Sequence, residues 1–184
     1  MADEELVKGC LRNNRKYQKI LFEKYFSDMM KVCQRYANDE DEAGEILQKG
    51  FIKVFAKIQS YSNAGSLEGW IKRIMIRTAI DHFRMQQREN KAVILELETN
   101  DMPEESTVEN NLAAEDILLL VQTLPAVQRT VFNLFALEGY THKEIAEELK
   151  ISEGTSKWHL CEARKTLKKA LAPAYPNRVK EYAA

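Results

Sequence analysis

Apolar positions along this chain recur at steps of three and four, and strand-like alternation appears nowhere at convincing length. From Tyr17 the positions Ile20, Leu21, Tyr25, Met29, Cys33 and Tyr36 form one helical stripe. Ala43, Ile46, Leu47, Gly50, Phe51, Val54, Phe55 and Ile58 form a second, cleaner one. After the polar loop "SYSNAGS", Ser66 is a candidate N-cap for a helix with Leu67, Trp70, Ile71, Ile74 and Met75 on one side. The first 90 residues therefore read as a helical bundle.

Residues 91–113 break this pattern. They contain Pro103 and many Glu, Asp, Asn, Ser and Thr residues, with "AVILEL" as the one apolar fragment. That composition predicts a flexible linker. A second helical region, 114–172, begins with "AEDILLLVQTL" as one helix. Pro125 opens the next, which ends near Gly139. Thr141 and Glu144 have the spacing of a capping box for "HKEIAEEL", and Ser152 caps a last helix running to about Leu171. Residues 173–184 are a short tail. The fold class expected is all-α: two small helical domains joined by a linker.

Charge sharpens this division. The net charge is −1. Residues 1–90 hold 16 Lys and Arg against 13 Asp and Glu, residues 91–117 hold 1 against 8, and residues 118–184 hold 10 against 7. Two mildly basic ends thus flank an acidic connector, and the overall balance conceals them.

The basic residues are placed with a helical period. In the last helix Ser156, Leu160, Ala163 and Leu167 fall on one buried arc, while Lys157, Arg164 and Lys168 form a strip along its flank. Trp158 falls almost opposite the buried arc. Two short helices on a tight turn, the second basic and bearing an exposed aromatic, make a helix-turn-helix candidate. Its N-terminal side chains would enter the major groove, and its cations would meet phosphates. Upstream, Arg73, Arg77, Arg84 and Arg88 lie within about 60° on one helix, edged by Trp70 and preceded by Tyr61 and Asn63. Cations beside aromatics are what single-stranded nucleic acid binding uses.

Catalytic and membrane readings find little support. The longest aliphatic run, "ILLLV", is too short to span a bilayer, and the acidic start has no signal-peptide character. No phosphate loop, paired-histidine zinc motif or nucleophile elbow is present. His82, His142 and His159 stand on separate helices, and His159 with Glu162 makes two metal ligands at most. Cys10, Cys33 and Cys161 are scattered without a C-x-x-C pair, as expected for reduced thiols in a cytoplasmic protein. No cofactor, metal or enzymatic activity is expected.

Three segments in order resemble the sigma-70 family of bacterial transcription initiation factors, in its extracytoplasmic-function (ECF) group. "DEAGEILQKGFIKVF" (41–55) is similar to the family's core-polymerase-binding helix, with Asp41, Glu45, Leu47, Gln48 and Phe51 at the motif positions. "WIKRIMIRTAIDHFR" (70–84) resembles the helix that melts and reads the minus-10 element, which implies that role for Tyr61, Asn63, Trp70, Arg73, Arg77, Arg84 and Arg88. Residues 124–167 resemble the domain that reads the minus-35 element, implying DNA contacts from Thr155, Ser156, Lys157, Trp158, His159, Arg164 and Lys168. The wording "EGTSK" and "VFNL" is similar to that of Bacteroidetes members.

The resemblance implies core RNA polymerase and promoter DNA as partners, control by an anti-sigma factor or a response regulator, and an acidic linker lying in positively charged polymerase channels. The sequence departs from the family at Arg77, where Asn is usual, at Lys150, where Gly is common in the turn, and at Trp158 and His159, where smaller polar residues are usual. A stand-alone helix-turn-helix repressor or activator is the alternative. It needs neither "DEAGEILQKGF" nor the arginine strip.

Overall fold

The computed structural model describes residues 1–94 and 119–171, all helix, turn or loop with no strand among them. The chain forms two compact units, Met1–Phe83 and Arg84–Ala184. The acidic stretch 95–113 expected to be a linker, most of the "AEDILLLVQTL" helix and the tail lie outside the described residues.

The first unit contains α1 (Asp3–Leu11), α2 (Arg15–Gln34), α3 (Glu40–Lys57), a 3₁₀ turn (Ile58–Ser60) and most of α4 (Leu67–Ile94). Helix α1 has no counterpart in the sequence reading, which began its first stripe at Tyr17. It buries Leu6, Val7, Gly9 and Cys10 and is fastened to α2 through Asp3. That carboxylate accepts hydrogen bonds from Lys24 (2.6 Å) and Tyr25 (2.8 Å). The Lys24 bond is the main reason the Asp3 pKa lies below the ordinary carboxylate value, with burial opposing it.

The two expected stripes are the core of this unit. Leu21, Tyr25, Met29, Cys33 and Tyr36 are buried from the first, and Ala43, Ile46, Leu47, Gly50, Phe51, Val54 and Ile58 from the second. Burial pushes the Cys33 thiol up to about 12, so it behaves as a small apolar core residue. Ser66 caps α4 as expected, accepting from the Gly69 N–H at 3.0 Å. Helix α4 runs four residues beyond the expected domain boundary at 90.

Two glycines set how closely these helices approach. A Cβ on Gly50 would strike the Sδ of Met75 on α4, which is fully buried. A Cβ on Gly9 would strike the root of the Tyr17 ring, which cannot swing aside without moving α2. Gly9→Ala is therefore expected to destabilise the first unit. Overpacking costs about 1–3 kcal/mol, against about 1 kcal/mol regained in helix propensity. Scanning calorimetry should show a lowered first-unit transition, and an unchanged one would refute the close approach.

In the second unit residues 119–122 are helical. They are followed by α5 (Ala126–Phe132), a π turn (Asn133–Leu137), α6 (His142–Leu149) and α7 (Glu153–Leu171). Pro125 occupies the N-cap position of α5, one residue earlier than expected. Leu120, Val121 and Leu124 pack with Ala163 and Leu167 of α7. The buried Arg129 donates to the Gln122 carbonyl (3.0 Å), tying α5 to the segment before it.

Candidate nucleic-acid interfaces

The α6–turn–α7 unit is built from caps that the sequence announces. Thr141 accepts from the Glu144 N–H (3.2 Å), while the Glu144 carboxylate accepts from the Thr141 N–H (2.8 Å), closing the expected capping box. Ser152 accepts from the Thr155 N–H at 3.0 Å and starts α7. Between them Lys150 takes the left-handed conformation (φ 56°) that favours glycine, a backbone cost of up to about 1–2 kcal/mol. The turn holds because the Ile151 N–H still bonds the Ala146 carbonyl (3.1 Å).

The residues expected to meet minus-35 DNA divide into two groups. Lys157, Trp158 and Arg164 are exposed and Lys168 is half-buried. Trp158 is 57% exposed, large for an aromatic that no partner covers, and its ring stands edge-on to His159 at 4.8 Å. Burial holds the His159 pKa below its ordinary value. Ser156 differs. It is fully buried, with its hydroxyl 2.9 Å from His142 Nδ1, so it joins α7 to α6 and does not face outward. The Thr155 hydroxyl is likewise engaged, 2.8 Å from that of Ser152.

The structure adds a groove that the sequence reading did not assemble. His142, Lys157, Leu160, Cys161, Arg164, Lys165 and Lys168 line a concavity of about 440 Å³. Phe135, presented by the π turn, stacks on His142 (4.7 Å between centroids), and the Arg164 guanidinium lies over the same Phe135 ring, 5.5 Å from its centroid. A π turn re-aims side chains relative to a regular helix, which is why such turns recur at functional sites. No helical period links positions 135, 142 and 164, so only the fold brings them together. Of the lining cations, Lys165 is also paired with Glu162 at 2.7 Å.

On α4, Arg73, Arg77 and Arg88 are exposed and Arg84 is half-buried. The buried face borders the strip at Ile80, which falls about 20° from Arg73 on the helical wheel and is 1% exposed. Arg73 and Arg77 therefore form the open stretch nearest the aromatics. Tyr61 and Trp70 are paired, their centroids 5.5 Å apart. The Tyr61 hydroxyl donates to the Gly65 carbonyl (2.7 Å), closing the loop that displays Asn63 in the left-handed conformation (φ 55°). Asp81 is a surface residue bonded to Lys53 at 3.0 Å.

On α3 the five positions expected to meet the polymerase divide by exposure. Asp41, Glu45 and Gln48 are exposed, whereas Leu47 and Phe51 are each 3% exposed and belong to the core. Phe51 meets the Phe22 ring edge-on at 4.7 Å. Beside the exposed three stands Ile52, 63% exposed. It lies within about 60° of Asp41, Glu45 and Gln48 on the wheel. An isoleucine out of step with the buried stripe was the available signal. Glu45 is bonded to Lys49 (2.6 Å), which lowers its pKa.

Among the described residues, no three His, Cys, Asp or Glu side chains gather as metal ligands, and no helix is long and apolar enough to cross a membrane.

One unit carries a basic helix-turn-helix and the other a helix with arginines beside an aromatic pair. Each is a candidate nucleic-acid surface, and the class of protein they define is a helical DNA-binding one. Residues 21–89 match the family model for sigma-70 region 2, and residues 114–167 that for sigma-70 region 4. The chain belongs to the sigma-70 family.

Similar proteins include the RNA polymerase sigma-H factor of Pseudomonas aeruginosa, 26% identical with 93% of this chain and 94% of the relative covered. The ECF RNA polymerase sigma-E factor of Haemophilus influenzae is 24% identical, over 94% and 97%. Among solved structures, the sigma factor RpoE of Bartonella quintana, in complex with the anti-sigma factor NepR, shares the fold. It has a TM-score of 0.50 and 18% identity, over 83% of this chain and 95% of that one.

Proposed function

We infer that this chain is a promoter-directing sigma factor: it binds core RNA polymerase, reads minus-35 DNA with α7 and melts minus-10 DNA with α4. The observation that carries this reading is the conjunction of regions 2 and 4, in order, on one chain. A stand-alone repressor needs only the second. Such a protein works in the cytoplasm, where the polymerase is, as a DNA-recognition subunit with no catalysis of its own. An anti-sigma factor or a response regulator is the proposed source of control. The Bacteroidetes leaning is supported by "EGTSK" and "VFNL" alone.

The residue roles follow from exposure. Asp41, Glu45, Gln48 and Ile52 present a polar-edged apolar strip for the polymerase. Arg73 and Arg77 hold the phosphates of the opened strand, while Trp70 and Tyr61 offer stacking faces to its bases. Arginine at 77 favours phosphate contact over the base reading expected of an asparagine there.

Co-purification with core polymerase followed by run-off transcription on genomic DNA tests the function. Charge reversal at Arg73 and Arg77 (both to Glu) tests the melting surface. Open-complex formation should fall about tenfold or more, equivalent to about 1.4 kcal/mol, while polymerase association stays near wild type. Equal losses in both assays would assign the strip to the polymerase contact or to the fold.

A further inference from the structure

We propose that His142 is a proton-linked contact for a DNA backbone phosphate seated in the groove between α6 and α7. The proposal rests on the DNA-reading role assigned to α7. His142 is the first residue of α6 and lines the groove with Lys157, Arg164, Lys165 and Lys168. Its ring is held on two sides: Phe135 stacks on its face, and Ser156 Oγ lies 2.9 Å from Nδ1. A serine hydroxyl both donates and accepts, so this bond survives a change in the ring's protonation. Nε2 is then the ring atom left to meet a ligand.

The groups facing the ring are Ser156, Lys157, Arg164 and Glu153 from α7 and Phe135 from the π turn, with Cys161, Lys165 and Lys168 along the same groove. Without DNA, burial first, and then Lys157 and Arg164, hold the His142 pKa below its ordinary value; Glu153 opposes them. The free ring therefore gives up its proton more readily than an ordinary histidine. A phosphate in the groove would offset both cations and accept from an imidazolium N–H, so the bound-state pKa is higher than the free one. Binding then takes up a proton between the two values. Within that window affinity rises as pH falls, by up to about tenfold per pH unit for one proton. Above the bound pKa and below the free one there is no dependence.

The test uses holoenzyme reconstituted from the full chain, titrated against a promoter duplex at fixed salt between about pH 7.5 and about pH 5.5. Wild type should gain about threefold or more in affinity over this range. His142→Asn, which keeps an amide at the level of Nδ1 for Ser156 but does not titrate, should lose the gain. A wild-type slope retained in His142→Asn, or no slope in wild type, overturns the proposal.

Histidine NMR on the unmodified chain decides the matter independently of any folding defect. The His142 pKa should rise when duplex is added, and an unchanged value overturns the proposal. Absence of minus-35-specific binding at every pH would overturn the DNA reading itself, a result distinct from binding without pH dependence.

Discussion

Leu47→Ala is expected to destabilise the first unit by about 2–5 kcal/mol, the cost of deleting a buried leucine and leaving a cavity. Leu47 stands at a polymerase-contact position of the family pattern, yet it is 3% exposed within the α3 core stripe. Any loss of polymerase association in this variant should therefore track loss of folded protein. The opposite is expected of Gln48→Ala with Ile52→Ser. Both side chains are exposed, and substitutions at such sites leave stability within about 0.5 kcal/mol. Burying Ile52 against a partner contributes about 1.5–3 kcal/mol, so association should weaken about tenfold or more with the melting temperature unchanged. Thermal melts and a core-polymerase pull-down on the same preparations separate the two cases. If the surface variant associates normally, α3 does not dock through this strip.

Trp158→Ala is expected to change which minus-35 sequences are used, by about 1–3 kcal/mol at one promoter position. The ring is exposed on the side of α7 away from the buried stripe and braced by His159. Its removal leaves the core packing of the unit untouched. Lys157→Ala and Arg164→Ala should instead weaken all promoters alike and reduce the salt dependence, because a phosphate contact carries no base information. Arg164 has the larger expected effect of the two, since Phe135 also positions its guanidinium. Selection from randomised promoters distinguishes base reading from phosphate contact. An unchanged minus-35 preference in Trp158→Ala would assign that residue to a protein partner and leave base reading to His159.

Ser156 shows why a motif position and an exposed contact are different things. Its place on the buried arc was visible from the 3.6-residue period, and its place among the DNA contacts came from the resemblance. The structure resolves the conflict in favour of burial: the hydroxyl sits inside, against His142. Leu47 and Phe51 repeat the lesson on α3. Family patterns record residues that matter at a helix, and a helix docks with one face only because another face is packed.

What the sequence by itself determined is local. The helical stripes, the caps at Ser66, Thr141 and Ser152 and the alignment of the arginines on α4 each depend on residues a few positions apart. Their spacing is a sufficient signal for hydrogen bonds within one turn. Helix α1 escaped because its apolar residues, Leu6 to Leu11, span less than two turns, too few for a period to stand out. Tertiary structure alone decided which face of each helix was used up in packing. It buried Ile80 beside the arginine strip, left Ile52 outside and brought Phe135, His142 and Arg164 together. The reason is physical: a helical period fixes the angle between side chains on one helix, but burial depends on what distant segments place against each angle.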